Sequence, residues 1–583
     1  MNTKRTVLIS LSAVAVVSAL TLGSSTISSS GAVHFNAALN YKVGDVGDFG
    51  GTLQLGSTRY CDSFDPALSY DSWCGVILRT YSRNVVSYSN KPGVDSFVVA
   101  PDLTTKLPVS KDGGQTWNLE LRSGVKWDDG TAVTSQDVKY SIERLFDPDI
   151  LGTVSNDSLC LFSSCSTGIP DYKGPIATGE LTAIKTPSPT HLTIELTRPF
   201  PELLNVLAMP QFGVIEKARA ESLAKQRKAY SYAPASSGPF VIKVTDSLVT
   251  FETNTSWDQR LDSLRIPRVD SMKWKLFPTS QAVSQAVLQG DVDVRVDGGL
   301  TDELAQSTFT NPSTNKLLDQ IKTGTVDYLA IVPTAKPLER KACREAIYYA
   351  LNKVDLVRVH GGVHQAQVAT SMISAGVPGG EETTDMYPSG ATDTGDLEAA
   401  RNKLSQCGYP DGFEVRMAYV ALGLGKATYE SVQRALARVG IVVDPREFRS
   451  FADYFSTGVG SPENLDAKNI GLVAAAWSPE PGQSVSYWGP IVDGRKIKLR
   501  SNLNYSSINN DDINGLLDSL EQGSKSASKL NRQIDSLVMK QAFYVPFVAE
   551  LSLQYRGPQL TNVYVQRALG GQYDLVNIGL VTK

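Results

Sequence analysis

Apolar and polar residues alternate along Thr52-Leu53-Gln54-Leu55, directly after the pair Gly50-Gly51, and this predicts a short strand. The loop that follows holds Ser63-Phe64-Asp65-Pro66-Ala67, a position after a strand end where chains commonly line clefts. Residues 116–121 alternate like a half-buried strand, Asp128-Asp129-Gly130 reads as a turn, and 134–145 has helical spacing. Thr134 suits the N-cap of that helix, with Asp137 at the box position three residues on, where Glu is usual. Strands are also predicted at 191–196, 240–244 and 272–277, and a helix at 281–288 ended by Gly290. A second block opens with a strand at 328–332 and a helix at 339–352. Helices at 396–407 and 427–439 are closed by Gly408 and Gly440, and each is followed by a strand, at 413–419 and 441–444. Such mixing predicts an α/β or α+β protein whose sheets carry packed helices.

Length changes this picture by multiplying it. A chain of 583 residues exceeds the roughly 250–300 residues at which single cores stop growing, so two or three domains are expected. Hydrophobic residues at 42% and charged residues at 20% are globular proportions. The net charge of −4 offers no basic footprint for nucleic acid. At the N-terminus, Lys4 and Arg5 precede an apolar run over 7–22 and the small residues Ser30-Gly31-Ala32, the order of a secretory signal peptide, assigned to 1–32. The competing reading is a retained membrane anchor. No cysteine precedes Cys61, so lipid attachment there has no acceptor, and an exported or cell-surface protein is expected.

The six cysteines, an even count in an exported chain, favour disulfides. Proximity suggests Cys61 with Cys74 and Cys160 with Cys165, leaving Cys343 for Cys407, among fifteen pairings that six cysteines allow. Little in the chain speaks for catalysis. There are four histidines; His360 and His364 have the i, i+4 spacing of a zinc pair, yet glycines separate them and the catalytic Glu of a zinc protease is missing, so neither metal nor cofactor is expected. No nucleophile elbow or phosphate loop is present. Asp128 with Asp129 and Asp291 with Asp293 are acidic pairs of the kind a glycosidase uses at ~5–9.5 Å across a cleft, but turn chemistry and strand alternation account for them locally.

One continuous pattern runs from Trp117 to Leu121 through Arg122-Ser123-Gly124-Val125-Lys126-Trp127 and Asp128-Asp129-Gly130-Thr131 to Asp137-Val138-Lys139-Tyr140-Ser141. With it stand Phe64-Asp65-Pro66-Ala67, Ser237-Gly238-Pro239-Phe240, Leu288-Gln289-Gly290-Asp291, the segment from Arg344 to Lys353, Ala399 to Leu404, and Gly408 to Phe413. In this order they resemble the signature of bacterial extracellular solute-binding proteins of the oligopeptide and dipeptide type, family 5. Asn562-Val563-Tyr564-Val565 and Tyr573-Asp574 look most like actinobacterial members. The resemblance implies a type II periplasmic-binding-protein-like fold of two lobes and three domains. Domain I is drawn from 49–80, 196–327 and 546–583, domain II is inserted at 81–195, and domain III, the opposite lobe, spans 328–545. It places Cys343 and Cys407 on neighbouring helices, which supports their pairing. Hinges near Tyr328 and Tyr544 would let the lobes shut around a ligand.

The implied function is that of a monomeric, non-enzymatic binding protein that captures an oligopeptide and hands it to an ABC permease. Binding of an oligosaccharide or metal chelate is the alternative on the same fold, and a hydrolase using Asp128, Asp129 or Glu480 the alternative outside it. In peptide-binding relatives a strand ends in Gly-Trp, and an Asp three residues later pairs with the peptide α-ammonium. Here the segment is Ala476-Trp477-Ser478-Pro479-Glu480, so Glu480 takes the Asp position and Trp477 the apolar wall. The backbone at Ala476 and Ser478 is placed to pair with an extended peptide. Ala474 and Ala475 stand where some relatives carry basic residues, which leaves peptide length open. Arg59 and Tyr60 are the candidate first-lobe contacts, by position beside the Asp65 loop.

Overall fold

The computed structural model describes residues 35–40 and 49–581, apart from 70, 151–153, 167, 224–226, 246–247, 481 and 524–525. The expected signal sequence, 1–32, lies outside the described residues.

The predicted local elements form where periodicity places them. Strand Thr52–Ser57 lies parallel to Ser271–Leu276 at the centre of a five-stranded sheet that also contains Phe240–Val244 and Val249–Thr253. Thr116–Glu120 and His191–Glu195 pair antiparallel in a four-stranded sheet. Helix Ser135–Arg144 packs beside it, and the Thr134 N–H donates to Asp137 Oδ2 at 2.8 Å, so the shortened box still closes. These two sheets share one apolar core, which residues 560–578 complete from the far end of the chain. At its centre Asp102 is held between Arg83 (2.7 Å) and Arg265 (2.8 Å), all three buried, a charge cluster stable only because every member is paired.

A second core covers 326–548. Its six-stranded sheet runs in the order Ala366–Val368, Tyr544–Tyr555, Leu318–Ile331, Ile470–Trp477, Glu414–Val420, Val442–Phe448. Helices Lys341–Ala350, Leu397–Gln406 and Gly425–Ala437 cover it. Gly440 ends the last of these at φ 83°, and a Cβ there would lie 2.2 Å from the Asp411 carbonyl, so the turn into the next strand admits only glycine.

Two strands are far longer than local pattern predicts. Leu318–Ile331 and Tyr544–Tyr555 pair antiparallel and run out of the second core until Leu318, Leu553 and Tyr555 pack in a smaller apolar cluster with Ala286 and Val292, while Ile321 joins the first core; register shifts fall between Lys322 and Val326 and between Asp327 and Tyr328. The expected strand at 328–332 is only the apolar half of the first; polar residues from Asp319 to Thr325 hid the rest. Disulfides join Cys61 to Cys74, Cys160 to Cys165 and Cys343 to Cys407, the last bridging Lys341–Ala350 and the end of Leu397–Gln406.

A candidate ligand site at the end of a sheet strand

Strand Ile470–Trp477 is buried over its first half and opens to solvent toward its end. Antiparallel pairing with the crossing strand sets Trp477 opposite Val326 and Ala476 opposite Asp327. Beyond Trp477 the chain leaves the sheet at Ser478, and helix Ser484–Val492 follows. Trp477 is half-buried: its indole N–H donates to the Tyr487 carbonyl at 2.9 Å, and its ring tilts against that of Tyr487. One face of the indole is thus supported by the following helix. Ser478 shares a 2.8 Å hydroxyl contact with Thr325, while Ala476 is exposed.

Close packing shapes the turn. A Cβ on Gly376 would lie 2.5 Å from Pro479 Cγ, so Pro479 seats directly on backbone. Gly482 has φ 70°, and its carbonyl accepts from Asn205 Nδ2 at 2.7 Å. Asn205 belongs to helix Leu203–Leu207 of the first core, and its carbonyl also accepts from the Tyr88 hydroxyl at 3.4 Å. Glu202, next to that helix, accepts from the Ser484 N–H at 3.2 Å. The turn carrying Glu480 is therefore fastened to both cores.

Glu480 is exposed to solvent, and the protein around it still costs its carboxylate some hydration, which raises the carboxyl above the ordinary range. Tyr88 of the first core is raised by burial and, secondarily, by the charge of Glu480, which places the two groups within electrostatic reach across the gap. A carboxylate in such a position gains from a cationic partner, since a charge-assisted hydrogen bond offsets its lost hydration.

Trp477, Ser478, Ala476 and Glu480 are brought together as sequence proximity requires. Arg59 and Tyr60 are not brought to them. Arg59 Nη2 donates to Asp71 at 2.8 Å with the guanidinium over Trp73, and Tyr60 packs edge-on against Trp274. Among the described residues, no hydrogen bond, ion pair or ring contact joins either to Trp477 or Glu480. Asp65 is also turned inward, fully buried and paired with Arg144 at 2.6 Å. Glu202, Asn205 and Met209 from the first-core side do hydrogen-bond to the turn and the helix start after it, Tyr88 lies within electrostatic reach of Glu480, and no local motif marks any of the four.

The rival carboxylates are already engaged. Asp128 accepts from Ser236 N–H at 3.0 Å and pairs with Arg219. Asp129 accepts from the Thr131 hydroxyl at 2.6 Å and from the Thr131 N–H at 2.8 Å, which lowers its carboxyl. Asp293 accepts from Gln54 N–H and Gln559. The two histidines of the i, i+4 pair part company: the His364 ring tilts against Phe309, whereas His360 turns inward beside Asp327.

With this geometry in view, comparison with known proteins defines the class. The profile of bacterial extracellular solute-binding proteins, family 5 (middle), matches residues 98–498, and the chain belongs to that family. The glutathione-binding protein GsiB of Salmonella paratyphi A is 23% identical over 530 residues, spanning 88% of this chain and 91% of its own. Among solved structures, a clavulanic acid biosynthesis oligopeptide binding protein is 30% identical, with a TM-score of 0.84 over 94% of this chain and 99% of its own. The unliganded open form of MppA, a periplasmic murein tripeptide binding protein, is 18% identical with a TM-score of 0.72, covering 93% of this chain and 98% of that one. The mixed α/β fold is that of the periplasmic binding proteins of this family, and the family is one of solute binders. Among the described residues no helix is long and apolar enough to cross a membrane.

Proposed function

We propose that the protein captures an oligopeptide between two lobes by hinge closure and delivers it, without turnover, to an ABC permease. The observation that carries this reading is the Trp477 to Glu480 segment: a supported aromatic wall, an exposed strand end and an exposed carboxylate, on a turn fastened to the opposite core at Gly482 and Ser484. Those are the three groups that an extended peptide with a free α-ammonium requires: apolar contact, backbone pairing and a counter-charge. The peptide and glutathione ligands that the relatives' names state point the same way. The lobes correspond to domain I (49–80, 196–327, 546–583) with inserted domain II (81–195), and domain III (328–545). The two apolar cores support this division, and the paired crossing strands are suited to act as the hinge. The protein acts outside the cytoplasm as a monomer, either released or held by its N-terminal segment.

Native mass spectrometry of protein purified without refolding tests the reading. Release of peptide masses, and calorimetric binding of those peptides that falls about tenfold or more in Glu480→Gln, is the expected result. Release of a sugar or a metal chelate, or cleavage of added peptide, would replace it.

A further inference from the structure

His360 ends helix Lys353–Val359, and its ring faces the two crossing strands. Asp327 stands on one of these strands and Glu550 on the other. His360 Nδ1 lies 3.7 Å from Asp327 Oδ2, and one ligating atom from each of the three residues lies within 4.8 Å of the others. We propose that Asp327, His360 and Glu550 form a binding site for a divalent transition-metal cation of the zinc class, beside the strand end at Ala476 and made of none of the residues of the Trp477 to Glu480 turn.

Three features carry the assignment. The first is the direction of the imidazole. Its Nε2 is 3.1 Å from the Thr428 hydroxyl, a buried group on helix Gly425–Ala437. When Nε2–H donates there, Nδ1 presents a lone pair to the carboxylates, the outer-shell arrangement that fixes metal-binding histidines. The second is an unmet acceptor. Asp327 is 8% exposed, and its Oδ2 has no hydrogen-bond partner. Among the described residues, no Lys or Arg pairs with Asp327 or Glu550. Glu550, partly buried, is hydrogen-bonded to Thr325 and to Asp327, and two facing carboxylates must hold either a proton or a cation between them; a divalent cation takes the place of that proton. The third is fit. Two carboxylates and a neutral imidazole match the charge of a divalent ion. Ligand atoms around tetrahedral zinc stand about 3.4 Å apart, close to the 3.7 Å already present. Glu550 also lines a cavity of about 80 Å³ with Thr325, Val326 and Gln367, which opens this one of the three residues to solvent.

The other such grouping among the described residues, Asp62, Asp71 and Cys74, lacks this character: Cys74 is in a disulfide and Asp71 is paired with Arg59. His364, which the i, i+4 spacing singles out, lies outside the cluster, its ring against Phe309.

The test is calorimetric titration of the untagged chain, stripped with chelator and dialysed, with Zn²⁺. Cobalt absorption in the same stripped chain reports the ligand field. The expected result is about one saturable equivalent with the visible bands of low-coordinate cobalt. His360→Gln and Glu550→Gln each weaken binding by about tenfold or more, whereas His364→Gln leaves it unchanged. Thr428→Val guards against misfolding of a ligand variant: with an unaltered circular dichroism spectrum it weakens binding by about tenfold through the imidazole alone. Absence of saturable binding, or binding that survives both His360→Gln and Glu550→Gln, overturns the proposal.

Discussion

Glu202 and Ser484 meet across the two cores: the carboxylate of the first accepts the backbone N–H of the second at 3.2 Å, at the first residue of helix Ser484–Val492. The contact satisfies one of the donors that a helix start leaves open and lets a negative group meet the positive end of the helix dipole. Burial nonetheless dominates and pushes the Glu202 carboxyl up from 4.5 to about 7.

A stability change with pH follows from that shift. Between its unfolded value of 4.5 and its folded value of about 7, Glu202 holds a proton that the unfolded chain has released. Stability present in full below the lower value is therefore lost as pH rises through the upper one. The loss is at most on the order of 3 kcal/mol, since part of the side chain still meets water. Asp535, raised to about 6 by burial, adds a change of the same sign. Glu202→Gln isolates the first contribution: urea unfolding at pH 5 and pH 8 should show a smaller difference for the variant than for the natural protein. Equal differences would mean that the carboxyl does not titrate in this range.

Fastening of the ligand turn rests on Gly482. A Cβ there would lie 2.6 Å from Asn205 Nδ2, and φ is 70°. Gly482→Ala should push the turn off helix Leu203–Leu207 and weaken binding of the released ligand by about tenfold or more. Asn205→Ala removes only the 2.7 Å hydrogen bond and should act more mildly, by about 1 kcal/mol. Calorimetry ranks the two; the reverse order would contradict the geometry.

Trp477→Phe retains an aromatic wall but loses the 2.9 Å bond to Tyr487, whereas Trp477→Ala loses both. Peptide affinity should fall several-fold in the first, by about 1 kcal/mol, and by roughly 2 kcal/mol or more in the second. Affinity unchanged in Trp477→Ala would place the peptide elsewhere.

Disulfide removal should be graded by loop length. Cys343 and Cys407 are separated by 64 residues, Cys160 and Cys165 by 5. In the chain-entropy account the first bridge contributes about 4 kcal/mol and the second about 2. Paired Cys→Ser variants compared by urea unfolding check the ranking, and a larger loss for the short loop would refute it.

Local chemistry was legible from residues alone. Strand alternation at Thr52–Ser57, the Thr134 and Asp137 box, and the glycine stops at Gly290, Gly408 and Gly440 all appear where period and cap require, because each is decided within about a turn of chain. Trp477 and Glu480 were legible as neighbours for the same reason, being three residues apart. Arg59 and Tyr60, chosen by nearness in sequence to a loop, contact Asp71, Trp73 and Trp274 instead, Arg59 through its ion pair with Asp71 and Tyr60 through its ring against Trp274.

What the sequence by itself determined is thus the type and order of the elements, the family signature, and the local chemistry of one turn. Tertiary structure alone decided which distant groups face one another: Glu202 and Asn205 at the turn, Tyr88 near Glu480, and Asp327, His360 and Glu550 together. The crossing strands Leu318–Ile331 and Tyr544–Tyr555 make the cause plain. Their pairing joins segments some two hundred residues apart, and it is set by the burial of both cores at once, a quantity that no window of sequence contains.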